Sequence, residues 1–328
     1  MNFESLFQNF SQIKVAVIGD IMLDSYWWGH VDRISPEAPV PVVALDKREL
    51  RIGGAGNVAL NTISLGAPTT ILSVVGQDED GKQLTNLLSK NGIDTTYILA
   101  VPNRVTTNKT RIMSRNQQML RLDCEITTDI DELTEHALLE QVETYFKIHQ
   151  PNVLIFEDYN KGVLTPKIID KTIALCKQYH VLTAVDPKKK NFLAFKGVDI
   201  FKPNLKEVKE GLNLLLEEVN TIVLQKIHTE LARILAHKIS LITLSEKGVF
   251  FQEGNTYKII PTHVRNIADV SGAGDTVIAV ASLVYAATQQ IDLAADMANI
   301  AGGLVCEEVG TAAIQKEKFL NECNKLLS

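Results

Sequence analysis

Asp275 lies in DVSGAGDT, residues 269–276, where Gly272 and Gly274 flank Ala273 and open the apolar run VIAVASLVYAA. Glycines let a backbone approach a ligand closely, and a helix start aims free amides and positive dipole at an anion, so the segment suits a phosphate. A carboxylate at the mouth of that helix can take a proton from a hydroxyl attacking the phosphate. The plainer alternative is a glycine turn with Asp275 as helix cap. A second cluster, GGAGNVALN at 53–61, offers bare backbone at Gly53 and Gly54, and Asn57 can both donate to and accept from sugar hydroxyls. Gly54, Gly56 and Ala59 also satisfy the GxGxxA dinucleotide pattern, but the preceding KRELRI is charged where that pattern needs a buried apolar strand. In GDIMLD, Asp20 and Asp24 follow a short apolar run. Asp20 could grip sugar hydroxyls or cap a loop, and Asp24 reads as structural.

Three segments could serve a nucleotide. DPKKKN at 186–191 brings Lys188, and also Lys189 and Lys190, which read as solvated charges. KPNLKE at 202–207 sets Asn204 and Glu207 at capping-box spacing, with Glu207 able to order water around Mg²⁺. LSEKGVF at 244–250 joins two apolar runs through Ser245 and Gly248. An anionic substrate would need local cations, for which Arg111, Arg115, Arg121 and Lys161 are candidates; otherwise they are strand-surface charge.

These residues need a scaffold. The 328 residues carry a net charge of -6, which opposes nucleic-acid binding, while 45% hydrophobic residues supply a sizeable core. Four cysteines without a CxxC pair fit reduced thiols in a cytoplasm, and no run is long enough to span a bilayer. Phe3, Leu6, Phe7 and Phe10 at helical spacing predict an N-terminal capping helix. Short β-branched runs at 14–19, 70–75, 153–156, 182–185, 200–201 and 241–244 alternate with helical patterns at 132–148, 166–179 and 224–236. That alternation predicts a largely parallel sheet with helices on both faces, the first strand ending in a loop at Gly-Asp. The stretches 40–45, 109–114 and 117–124, the last two joined by Arg115 and Asn116, predict a small antiparallel flap. Its exposed VPVV invites pairing of two copies.

Taken together, GGAGNVA, PNLKE and DVSGAGDT, spread over essentially the whole chain, resemble the ribokinase-like carbohydrate kinases, also called the phosphofructokinase-B family. The longer strings GDIMLD, RISPEAPVPVV, SRNQQMLRLD and DYNKG are similar to the kinase domain of the bacterial heptose 7-phosphate kinase and ADP-heptose synthase family. The resemblance implies one kinase domain over 1–328, with a β lid from about 24–50 and 105–125. It implies ATP-dependent phosphorylation of D-glycero-β-D-manno-heptose 7-phosphate at the anomeric hydroxyl, giving the 1,7-bisphosphate for ADP-heptose and lipopolysaccharide core synthesis, by a cytoplasmic homodimer. Asp275 would be the base and residues 272–274 the anion hole; Lys188, Asn204, Glu207, Ser245, Gly248 and Asn299 would line the ATP-Mg²⁺ side. Asp20, Gly53, Gly54 and Asn57 would hold the sugar, with Arg115, Arg121 and Lys161 for its phosphate. Asp269, with backbone carbonyls near Gly310, would hold a potassium ion. Ser271 stands where many relatives have threonine, and no HxGH motif of a nucleotidylyltransferase occurs, so the adenylyl step is expected of another polypeptide. The alternatives are a kinase of another sugar or sugar acid, of fructokinase or ketodeoxygluconate type, and a non-catalytic sugar-binding protein.

Overall fold

A computed structural model describes residues 2–115, 117–215, 218–263 and 265–327. The apolar runs assemble into a nine-stranded sheet in the order Thr256–Ile260, Val249–Glu253, Ile239–Thr243, Ile200–Phe201, Leu182–Asp186, Val153–Glu157, Val15–Gly19, Thr69–Gly76 and Asp94–Val101. Neighbours from Ile239–Thr243 onward pair in parallel, and only the first two strands of that order are antiparallel additions. Alternation along Val15–Gly19 feeds two cores. Val15 and Val17 join helix Ala273–Thr288 on one face, and Ala16 and Ile18 join helices Glu132–His149 and Pro166–Gln178 on the other.

The expected strands and helices all fall on elements of this fold. The edge strand Asp94–Val101 and the hairpin Val249–Glu253 with Thr256–Ile260 add to them. Helix Phe3–Asn9 caps one end, where Phe7 packs against Phe319 with ring centroids 5.3 Å apart. All four cysteines are free thiols, and no described helix is long and apolar enough to cross a membrane.

A second sheet stands off the first, in the order Pro41–Gly54, Ile21–Ile34, Asn108–Ser114, Gln117–Cys124. It corrects the sequence reading in two ways. Gly19-Asp20 is not the start of a loop, because Ile21 begins a 14-residue strand directly. The charged KRELRI is itself strand, the second half of Pro41–Gly54, though in this lid and not in the main sheet. The lid is two antiparallel hairpins joined edge to edge by a parallel pair, Ile21–Ile34 with Asn108–Ser114. Arg115 turns the second hairpin at φ 52°, while Asn116 lies outside the described residues. Register places Asp24, Tyr26, Arg51, Lys109 and Arg111 on one face of the lid, and Trp27, Leu50, Ile112, Leu120 and Leu122 on the other.

Candidate active site

Helix Ala273–Thr288 is buried through Tyr285, so its N-terminus is fixed in depth against the main sheet. Gly272 caps it in the left-handed region at φ 79°, and a Cβ there would lie 2.6 Å from Asn57 Nδ2. Only glycine lets that turn pass so close to Asn57. The first amides of a helix have no intrahelical acceptor. That of Ala273 reaches the Val270 carbonyl at 3.3 Å, and those that follow open the helix beside Asp275.

Asp275 is 3% exposed, and its two carboxylate oxygens are held apart by two donors: Asn57 Nδ2 at 2.8 Å and the Tyr159 hydroxyl at 2.7 Å. Burial pushes its pKa up to about 6 against the pull of those two hydrogen bonds. Asn57 is itself steadied from helix Ala55–Ser64 by Asn61. The Asn61 amide donates to the Asn57 carbonyl, and its side-chain oxygen accepts from Thr276 Oγ1 and the Ile314 amide. The glycine segments at 53–61 and 269–276, far apart in sequence, thus meet at the carboxylate.

Three strand ends deliver the groups around it. Among the described residues, oxygen atoms of Glu157, Asp186 and Asp275 lie within 4.8 Å of one another, all buried. Asp186 is held by Lys202 Nζ at 2.7 Å and Lys188 Nζ at 3.2 Å; burial pushes its carboxyl up, but these two ammonium groups bring it net below the usual range. Lys202, 2% exposed, would come within 3.4 Å of a Cβ on Gly274, beside the helix mouth. Lys188 also binds Glu207 at 2.6 Å. Glu157 has no hydrogen-bond partner for either oxygen; burial first, then the neighbouring Asp186 and Asp275, hold it well above the carboxylate range. Asn204 and Glu207 form the capping box suggested by their spacing, each side chain accepting the other's backbone amide at 2.8 Å.

Asp20 lies beside the loop that carries Tyr159. Its carboxylate accepts from the amides of Tyr159 at 2.9 Å, Lys161 at 3.0 Å and Val163 at 3.0 Å, so it braces the 159–163 loop. Burial raises its pKa despite those amides. Asp24 takes the lid position, 2.6 Å from Arg111 Nη1, and Gly53 leaves room for it, since a Cβ there would meet Asp24 Oδ2 at 2.5 Å. Gly54, at φ 60°, lets the chain enter helix Ala55–Ser64 over the Asp20 carbonyl.

Of the proposed phosphate receivers, Arg121 is engaged bidentately by Asp123 at 2.8 and 2.9 Å, and Arg115 is exposed at the lid's hairpin turn. Lys161 pairs with Glu125 at 2.8 Å. On the nucleotide side, Ser245 and Gly248 turn together at φ 55° and 98°, and Asn299 donates to the Pro261 carbonyl at 2.8 Å. Asp269 accepts from the Ser271 amide and hydroxyl and from the Gly310 amide. The carbonyls flanking Gly310, those of Val309 and Thr311, accept from Arg51 Nη1 beside it. Tyr159, Lys202, Glu157, Asp186 and Lys109 were not singled out by spacing. Each follows or lies near a strand end; Tyr159 lies in DYNKG, and Asp186, Lys202 and Lys109 open DPKKKN, KPNLKE and the stretch 109–114, but spacing gave none of them a role.

A family model described as pfkB family carbohydrate kinase matches residues 12–318. The bifunctional protein HldE of Geobacter sulfurreducens is 38% identical over 322 residues, covering 97% of this chain and 64% of that protein. That of Aliarcobacter butzleri is 39% identical over 300 residues, covering 91% and 62%. The chain therefore spans a little under two thirds of these curated relatives. Among solved structures, phosphofructokinase-2 from Escherichia coli in complex with potassium superposes with a TM-score of 0.80 at 17% identity, covering 96% of this chain and 100% of that one. Ribokinase from Arabidopsis thaliana complexed with ribose and ATP gives 0.71 at 16% identity, covering 94% and 98%. Both share the ribokinase-like fold.

Proposed function

The chain belongs to the pfkB family of carbohydrate kinases, and from that premise we propose that it transfers the γ-phosphate of ATP to the anomeric hydroxyl of D-glycero-β-D-manno-heptose 7-phosphate. The product would be the 1,7-bisphosphate, for ADP-heptose and lipopolysaccharide core synthesis. The observation that carries the kinase chemistry is Asp275, buried at a helix mouth between Asn57 and Tyr159. The choice of sugar is supported by RISPEAPVPVV and SRNQQMLRLD and by similarity to the HldE proteins.

In this mechanism Asp275 accepts the proton of the anomeric hydroxyl as its oxygen attacks the γ-phosphorus, and the bond to the bridging oxygen of ADP breaks in line. Asn57 and Tyr159 keep the carboxylate oriented. The amides at 272–274, with Lys202 and Lys188 beside them, stabilise the charge on the transferring group. Glu207, with Asp186 beside it on Lys188, would hold Mg²⁺ through water, as hard oxygen donors suit that ion. That ion, bound through water, would neutralise charge on the phosphates. A pKa of about 6 lets Asp275 return its proton to solvent at neutral pH. A potassium ion held at Asp269, just before the anion hole, would shape that loop and take no part in the chemical step.

We place the enzyme in the cytoplasm, with ATP, as a homodimer paired through the outer lid face. Comparing kcat/KM for heptose 7-phosphate, free heptose, fructose and fructose 6-phosphate tests the reading, with the product's phosphorylated carbon assigned by ³¹P NMR. Equal use of free heptose or fructose removes the heptose 7-phosphate assignment and points to the fructokinase or ketodeoxygluconate type of kinase.

A further inference from the structure

Most lid cations are already spoken for. On the face turned to the active site, Arg111 is bound to Asp24, Arg121 to Asp123, and Arg51 to Glu49 and the 309–311 loop. Lys109 differs: among the described residues its ammonium has no carboxylate within ion-pair distance, although its side chain is half-buried. Burial holds its pKa below the ordinary lysine value, and the adjacent Lys161 adds to this. An ammonium kept half-desolvated beside a like charge costs free energy unless an anion arrives between them.

The position of Lys109 relative to the base is set by one side chain. Lys109 Nζ lies over the Tyr159 ring, 5.6 Å from its centroid, and the hydroxyl of that ring is the one that binds Asp275. Lys188, on the nucleotide side, lies 5.4 Å from the same centroid. Tyr159 therefore spans from the base to the lid cation, and the loop that carries it is fixed by the three amide bonds to Asp20.

We propose that Lys109, with Lys161 beside it, receives the phosphate monoester that the sugar already carries, and that the Tyr159 ring sets the spacing between that phosphate and the hydroxyl transferred to. This rests on the phosphorylated-sugar reading above and assigns the specificity to Lys109 in place of the lid arginines. The geometry gives a reason for discrimination: Lys161 is already paired with Glu125, so a sugar without its phosphate leaves the half-buried Lys109 ammonium uncompensated, and one whose phosphate is at the wrong distance cannot place its hydroxyl at Asp275.

The test compares kcat/KM for heptose 7-phosphate and free heptose in the full chain and in Lys109→Met and Lys109→Arg. A charge-assisted contact predicts that the wild-type preference for the phosphorylated sugar falls about 10- to 100-fold in Lys109→Met and is partly restored in Lys109→Arg. A wild-type preference that Lys109→Met retains overturns this inference alone; absence of any wild-type preference overturns the substrate reading beneath it. A measurement on the unaltered protein guards against a variant that does not fold. Inorganic phosphate should slow amine acylation of Lys109, followed by mass spectrometry, relative to Lys206, whose side chain is 83% exposed. Unchanged labelling of Lys109 in phosphate likewise overturns the assignment.

Discussion

The two hydrogen bonds on Asp275 and its burial pull in opposite directions, and burial wins: its pKa stands at about 6 against an ordinary 3.8. A raised carboxyl stabilises the fold most at low pH, and that contribution is lost as pH rises through about 6. At pH 8 the ionised, buried Asp275 is therefore a cost. Asp275→Asn removes it while keeping the shape, since the amide oxygen can still accept from Asn57 and the Tyr159 hydroxyl can turn to accept from the amide nitrogen. We expect turnover to fall about 10²- to 10⁴-fold and stability at pH 8 to rise by about 1 to 3 kcal/mol, read by ATP consumption and by denaturant unfolding. A variant that is both less stable and still active would make Asp275 a structural cap. Tyr159→Phe bears on the same balance. Losing a hydrogen bond to the ionised form raises the pKa of Asp275, so the acid limb of the kcat/KM profile should move to higher pH. An acid limb that stays in place or moves down would mean that the hydroxyl does not act on the base. Asp275, Gly272 and Asn57 could be found in the sequence because each sits in a glycine motif whose local conformation already implies a ligand. Tyr159, Lys202 and Glu157 could not. Their roles arise only where strands Val153–Glu157, Leu182–Asp186 and Ile200–Phe201 end side by side, and no local pattern records that adjacency.

The helix that starts at Ala273 and the helix that starts at Ala55 touch through Gly272 and Asn57, so the catalytic geometry belongs to a pair of elements. Gly272→Ala should cost about 1 to 3 kcal/mol from the left-handed backbone, and its Cβ, 2.6 Å from Asn57 Nδ2, should also push Asn57 off Asp275. Gly254→Ala is the matched control: φ is 56° there too, but nothing lies within 4 Å of the added carbon. It should lose comparable stability and keep its kcat. If both variants lose kcat alike, the Gly272 contact has no part in catalysis. Elements with one dominant period were legible beforehand: the buried strands as unbroken apolar runs, and the helices from their apolar spacing. The lid was harder. Its strands carry charge on the face that covers the cleft, so KRELRI lacked the apolar signature of a strand, and Asp20 looked like a loop residue at the end of the first strand. Its work became visible only with the 159–163 loop folded over it.

At the scale of the whole molecule, the lid carries an uncovered apolar face among the described residues. Leu120 and Leu122 alternate along an edge strand at 52% and 49% exposed; Ile112 pairs with Leu120, and Trp27 with Ile112, so these side chains share a face with Leu50, itself 38% exposed. The opposite face holds Asp24, Lys109 and Arg111 over the cleft, so the two faces are specialised, and burying the outer one need not disturb the inner. A second copy of the same sheet suits it: each outer face would present the same aliphatic and indole groups to its mate, and water would leave both. A stable pair of ordinary size buries about 1,200 to 2,000 Å² in total, which the exposed lid can supply only if most of this face takes part. Leu120→Asp with Leu122→Asp places two carboxylates per chain at the centre of that contact, where neither could be solvated. The expected outcome is a dimer for the wild-type chain at micromolar concentration and a monomer for the double variant, by sedimentation velocity, with the secondary structure of both unchanged by circular dichroism. A wild-type chain that sediments as a monomer, or a double variant that still dimerises, would mean that copies of this chain do not meet through the lid.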